Sequence, residues 1–405
     1  MRVFLYQWEE NLMNASSQLI GLSRGSNCAM LSSILTTGLV LGLMSFSSPA
    51  RANMCDGAFV RVDKSPYELD LRVNPVNYDP LVKQAVQRSL YPDFKTLTDL
   101  IPLELSGAEL RALRRSTAEV RRREGENEAI HYWIRSRYRI DSQLVASGSA
   151  LVRPMWTLAP SSPHKATFDY TERTWFKLVR RTPETTNSTL IPLRNPVLIP
   201  GARFQEGYYW DSYFAVKALI GTGRSRLVRG QIENFLDLIE RFGVVPNGGR
   251  TYYLTRSQPP VLSLMVREYI ASRGSQLSSA DRAWLQNRVL PLLRRDYDGF
   301  WMNAKTRYDY ATGLNHHYDQ LNRPRPERHA ADKESELGRT YRDVRAEAES
   351  GKDFTDAFEG DATRIAPVLL NSVLHGVERD IAYFARLVGQ TDVAREYDQR
   401  GDRRR

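Results

Sequence analysis

The sequence predicts an all-α protein, and three observations carry that expectation. Residues 228–242 place Ile232, Phe235, Leu236, Ile239 and Phe242 on one helical face, with Glu233, Asp237, Glu240 and Arg241 opposite. The segments 261–272, 280–295 and 364–388 repeat the same 3.6-residue pattern. Alternating apolar and polar runs rich in β-branched residues are scarce, and no Gly-rich phosphate loop, heptad array or short repeat is present.

In chain order, the first element is a leader. Residues 29–50 are apolar and uncharged, follow Arg24, and run into Ala50-Arg51-Ala52, a small-x-small cleavage pattern. Residues 1–52 are therefore expected to be a secretory signal peptide, with an uncleaved anchor as the alternative. Ser, Thr and Gly interrupt the apolar stretch too often for a comfortable permanent span. The leader is long, so Met13 is a candidate start. Cys28 lies inside it, which leaves Cys55 alone after cleavage and no intramolecular disulfide available. Residues 53–405 then form the folded domain. They read as loop-rich to about 78, punctuated by Pro66, Pro75 and Pro80, and as helical beyond. Chemistry-bearing residues fall in the loops 194–211, 244–260, 322–330 and 348–356, which suits a helical barrel with long loops gathered at one end.

Charge and composition narrow the functional classes. Lys and Arg number 57 against 47 acidic residues, a net charge of +10, with a pI near 9.5. The cations are scattered, so they mark a mild surface bias and not a nucleic-acid footprint. The arginine runs at 114–115, 121–123 and 403–405 read as solvated helix faces or a frayed tail. The six histidines are dispersed, and neither Cys-x-x-Cys nor His-x-x-x-His occurs, so no metal and no cofactor is expected.

The most informative stretch is IPGARFQEGYYWDSY at 199–213. It sets Arg, Glu, Asp, Trp and three tyrosines behind a Pro-Gly turn. Aromatic faces stack on the C–H faces of a sugar ring, while carboxylates and a guanidinium fork take its hydroxyls. By composition alone, a Tyr-rich buried helix start with internally paired charges explains the segment equally well. Its spelling closely resembles the first signature of trehalases (glycoside hydrolase family 37), from which only Ala202, in place of a glycine, departs. Further segments resemble that family in order: LYPDFKTLTDL (90–100), STLIPLRNPVLIPG (188–201), VVPNGGRTYYLTRSQPP (244–260), RPRPE (323–327) and AESGKDF (348–354). The resemblance spans roughly residues 65–390.

The resemblance implies an (α/α)6 toroid in which inner and outer helices alternate around a cup. It also implies hydrolysis of trehalose to two glucose molecules with inversion, by a protonated acid and a second carboxylate that activates water. Asp353 matches the general acid of the family's Glu-Ser-Gly-Trp-Asp motif. By residue type alone, Gly351 and Asp353 merely start the next helix, with Asp353 as its N-cap. Arg203, Trp210, Asp211, Asn247, Arg256, Ser257, Gln258, Arg325, Glu327 and Gly351 match positions that contact sugar. Asp93 and Lys95 are expected to hold structure, and His131, Trp133, Trp156 and Trp175 to be core or rim aromatics.

The sequence also departs from the family. Lys352 stands where relatives carry Trp, and Leu369 where they carry Asp. The second signature and the catalytic base have no counterpart, so the toroid is expected to lack its last helices. Glu359, Asp361, Glu378 and Asp380 replace the base only by residue type: the first two in a loop, the last two on an exposed helix face. The expected function is a periplasmic or secreted α,α-trehalase, acting as a monomer without nucleic-acid or membrane partners beyond the leader. The alternative is a truncated, non-catalytic relative that at most binds a disaccharide. A six-hairpin glycosidase of another specificity would keep the fold and change the substrate.

Overall fold

Prolines and short polar caps start the first helices. In the computed structural model, α1 (Pro66–Val73), α2 (Pro75–Tyr78) and α3 (Pro80–Gln87) each begin at a proline, whose fixed φ suits the first helical position. Asn74 caps α2 by accepting from the Val76 N–H, and Asp79 caps α3 through Leu81 and Val82. The three prolines are thus helix starts. This corrects the loop reading of 66–78. Asp93 likewise caps α4 (Phe94–Thr98). The described residues are 66–140, 145–146, 154, 156–183, 187–274, 276–328, 332, 340–353 and 355–405. They lie in a compact unit running from Val62 to Arg405. The expected leader, Cys28 and Cys55 lie outside the described residues.

β1 (Leu100–Pro102) leads to α5 (Gly107–Glu124), which opens on a capping box between Ser106 and Glu109. It packs on α6 (Glu126–Arg137), and with α3 the pair encloses a small core of Val82, Val86, Leu113, Ile130 and Ile134. β2 (Tyr138–Ile140) pairs antiparallel with β1, Leu100 facing Ile140. Three further short strands form an antiparallel sheet around α7 (Lys165–Leu178): β3 (Val145–Ala146), β4 (Val179–Arg181) and β5 (Val197–Leu198), in that order.

The larger core is mainly helical, with Val179 of β4 and Leu198 of β5 joining it. α8 (Asp211–Ile220), α9 (Ser225–Phe242), α10 (Leu262–Ala271), α11 (Ser279–Trp284) and α12 (Leu290–Asp296) follow in order. Turns of π-helix at Leu285–Val289 and Tyr297–Trp301 flank α12 and extend that stretch to Trp301. After the hairpin β6 (Tyr308–Asp309) and β7 (Leu314–Asn315) come α13 (Tyr341–Ser350), α14 (Val368–Leu387) and α15 (Thr391–Arg404). α10 packs against both α8 and α14, while α9, α12 and α15 back this row. Front and back helices alternate along the chain, as the family resemblance implied. Along α9, Leu227, Val228, Ile232, Phe235, Leu236 and Ile239 are buried, each worth roughly 1.5–3 kcal/mol. Among the described residues, no helix is long and apolar enough to cross a membrane.

Several charged positions differ from the sequence reading. Asp237 is buried on α9 because Arg194, Arg241 and Arg288 surround its carboxylate. Glu378 and Asp380 are buried within α14 and do not form an exposed face. Glu378 accepts from Tyr297 and Arg404, and Asp380 from Arg267. The terminal arginine run is also not wholly solvated. Arg404 reaches Glu378 at 2.7 Å and the side-chain oxygens of Asn315 and Asn371 at 2.8 and 2.9 Å. In each case a partner of opposite charge offsets the cost of leaving water.

Candidate active site

The signature segment turns sharply before α8. Gly201 (φ +101°) and Ala202 (φ +52°) both adopt left-handed backbone, and Gly201 and Phe204 exchange backbone hydrogen bonds. The turn carries Trp210 to the start of α8, where its backbone N–H donates to Gln258 Oε1 at 3.1 Å. The indole lies directly on Gly351: a Cβ there would come within 2.6 Å of Trp210 Cζ2. Gly351 ends α13 at φ +71°, a conformation glycine adopts without strain. Asp353 therefore leaves a helix terminus two residues beyond the indole, and is not a helix N-cap.

Asp353 Oδ2 sits 2.9 Å from Arg325 Nη1. The rest of that guanidinium grips Asp332, with Nε at 2.9 Å and Nη2 at 2.7 Å. Burial works to raise the Asp332 carboxyl, and the Arg325 fork outweighs it, leaving it below its ordinary value. Arg256 donates to Glu327 at 2.5 Å and lies over the Tyr253 ring. Arg256 Nε and Nη1 and Glu327 Oε2 make no hydrogen bond among the described residues, although Nη1 also faces Asp319 Oδ2 at 3.6 Å. Burial also pushes the Asp211 carboxyl up from its ordinary value.

Other sequence-chosen residues fasten the loops to one another. Asn247 Nδ2 donates to the carbonyls of Ser257 (3.1 Å) and Ala348 (3.3 Å). Ser257 Oγ donates to Val245 O at 2.6 Å, and Gln258 holds Trp210. Trp210, Asn247, Ser257, Gln258 and Gly351 thus meet in one linked group, Arg325 joins Asp353, and Arg256 joins Glu327. Arg203 stands apart. It is half-exposed and pairs with Asp93 at 3.0 Å. A ladder of rings, Phe204 on Tyr208 on Tyr253, runs from it towards Arg256.

The sequence reading assigned no role to Glu349, although it lies in the quoted AESGKDF segment. Its buried carboxylate accepts from Arg307 Nη2 (2.6 Å), Ser257 N (2.9 Å) and Tyr318 N (3.2 Å), and faces His317 Nδ1 at 3.2 Å. Burial would raise this carboxyl, but Arg307 and His317 overcome it and hold it down at about 2. The same burial lowers the His317 pKa. The signal missed was its place two residues before Gly351 in the same motif. A second buried cluster supports the signature from behind. Lys95 Nζ reaches Asp99 (2.6 Å), Glu206 (3.0 Å) and Tyr252 (3.1 Å), and Arg250 Nε reaches Glu206 at 3.3 Å. Lys95 thereby has the structural role expected of it. Among the described residues, no group of three or more His, Cys, Asp or Glu side chains is placed to hold a metal ion.

A family model described as Trehalase matches residues 89–405. The periplasmic trehalase of Xanthomonas campestris pv. campestris (strain 8004) is 37% identical over 242 residues, which is 53% of this chain and 41% of that protein. The trehalase of Arabidopsis thaliana is 37% identical over 226 residues, 50% of this chain and 34% of that protein. The solved neutral trehalase of Saccharomyces cerevisiae has a TM-score of 0.47 at 23% identity, covering 65% of this chain and 60% of that one. The matched stretch spans less than half the length of the two curated relatives.

Proposed function

This chain belongs to the trehalase family, and on that premise we propose that it binds trehalose and hydrolyses it to two glucose molecules, with Asp353 as general acid, in the periplasm or outside the cell. One observation carries this reading: direct bonds and packing join loops from four separated segments around Asp353, through Trp210 on Gly351, Gln258 on Trp210, Asn247 on Ala348, and Arg325 on Asp353.

The chemistry follows from these parts. Asp353 gives its proton to the glycosidic oxygen as the bond from that oxygen to the anomeric carbon breaks, so the leaving glucose departs as a neutral alcohol. Water adds to the opposite face of that carbon and loses a proton to a second carboxylate, which inverts the configuration. Arg325 fixes the Asp353 carboxyl and is itself fixed by Asp332, which limits the rotation of both. The Trp210 face supplies a stacking surface for one ring, and the Arg256–Glu327 pair has donors and an acceptor suited to hydroxyls.

A specific observation favours a second reading, binding without turnover. The four carboxylates considered as replacements for the base are placed poorly for it. Glu378 and Asp380 are tied up in buried pairs, Asp361 pairs with Arg364, and Glu359 is exposed. Glucose release and calorimetric trehalose binding by the wild type and Asp353→Asn separate the readings. Hydrolysis lost in Asp353→Asn with binding retained supports the acid. Binding without any wild-type hydrolysis supports the second reading, and hydrolysis unchanged by the substitution removes Asp353 from its role.

A further inference from the structure

A cleft of about 470 Å³ opens between α5, the end of α6 and the α2–α3 turn, formed by none of the residues placed at the candidate active site. One wall is a single stripe of α5, in which Leu110, Arg114, Thr117 and Arg121 follow one another at helical spacing. Trp133, Arg137 and Tyr138 make the second wall, and Tyr78, Asp79 and Leu81 the third.

The walls are built and their charges are uneven. Asp79 accepts from the Leu81 and Val82 N–H groups through Oδ1, and from Trp133 Nε1 (2.8 Å) and Tyr138 OH (2.6 Å) through Oδ2. Those bonds lock both aromatic side chains in place. They occupy both Asp79 oxygens with neutral donors, so its carboxylate makes no direct hydrogen bond to the arginines of the cleft. Arg121 is compensated by Glu126 at 2.5 Å. Among the described residues Arg137 donates only to a neutral acceptor, the Leu103 carbonyl, and it stacks on the Tyr138 ring. Arg114 makes no hydrogen bond or ion pair among the described residues. Among the described residues, two guanidinium groups without carboxylate partners thus share one cleft with an apolar floor of Leu81, Leu110 and Trp133 and the half-exposed ring of Tyr78.

We propose that this cleft binds a small ring-bearing organic anion, a phosphate or carboxylate monoanion or dianion carried on a six-membered ring. Its charged group lies between Arg114 and Arg137, whose planar forks suit oxyanions, and its ring lies against Tyr78 and Trp133. The volume fits one such molecule and is within the usual range for small-ligand sites. The proposal is independent of the trehalose reading, because it uses none of the same residues.

The test is calorimetric titration of the full chain with phenyl phosphate, benzoate and inorganic phosphate, at low and high salt. Trp133 fluorescence serves as a second readout. Saturable binding of phenyl phosphate or benzoate that weakens with salt, and roughly tenfold in Arg114→Gln, supports the proposal. Whichever of the two binds more tightly identifies the charged group. No saturable binding by either overturns it, as does binding that Arg114→Gln leaves unchanged. Inorganic phosphate binding as tightly as phenyl phosphate overturns the ring component. Arg114 is on the helix surface, so its substitution leaves the fold intact, and a matched urea transition confirms that.

Discussion

Replacing Gly351 by alanine probes the joint between Trp210 and the Asp353 loop. Gly351 has φ +71°, and a Cβ placed there meets Trp210 at 2.6, 2.8 and 3.0 Å, all against a rigid ring. Two costs therefore add. Forcing a residue with a side chain into left-handed backbone costs about 1 kcal/mol. Overpacking against the indole adds roughly 1–3 kcal/mol. Gly389 provides an internal control: its φ is +78°, but a methyl group there would meet nothing within 4 Å. Gly389→Ala should thus cost only the backbone part, about 1 kcal/mol. Urea unfolding of both variants, with slopes compared to the wild type, measures the difference, and near-ultraviolet circular dichroism follows the Trp210 environment. The steric reasoning expects Gly351→Ala to be the less stable by about 1–3 kcal/mol, or, if the indole swings away, to show an altered Trp210 signal and weaker trehalose binding. Equal stability in the two variants with an unchanged Trp210 signal would refute it.

Other expectations concern backbone strain and buried charge. Ala202 has φ +52°, so Ala202→Gly should raise the free energy of unfolding by about 0.5–1 kcal/mol in the same assay. Glu349, held at about 2 by burial opposed and outweighed by Arg307 and His317, contributes stability that is present above its unfolded value of about 4.5 and is lost as pH falls towards 2. Glu349→Gln should cost about 3–5 kcal/mol at neutral pH by stranding Arg307, and should flatten that acid limb. Asp296 has the opposite sign. Burial raises it to about 7, so the folded state holds its proton between about pH 4 and 7 while the unfolded state has lost it. Stability then falls as pH rises through that window, and Asp296→Asn should remove this decline in urea unfolding measured from pH 4 to 8.

The amphipathic spacing in 228–242, 261–272 and 364–388 made the helices legible because each stripe faces a continuous apolar core and can be read locally. Polar positions on those helices were not legible in the same way. Asp237, Glu378 and Asp380 look solvated by residue type, yet each is buried because arginines from other elements reach it. Glu349 shows the same limit at the site. Its motif marked the neighbourhood, but Arg307, His317, Tyr318 and Ser257 come from 31 or more residues away.

By itself the sequence determined the helical class, the family, and which loops carry Trp210, Asn247, Arg325 and Asp353, because periodicity and motif spelling are properties of short windows. Only the tertiary structure decided which of those residues face one another and which bind the loops together. It put the Trp210 ring on Gly351, used both amide hydrogens of Asn247 on backbone carbonyls, and left Arg203 at the surface with Asp93. The physical reason is that a hydrogen bond or a ring contact depends on distances of a few ångströms between segments far apart in the chain, and local patterning does not encode those distances.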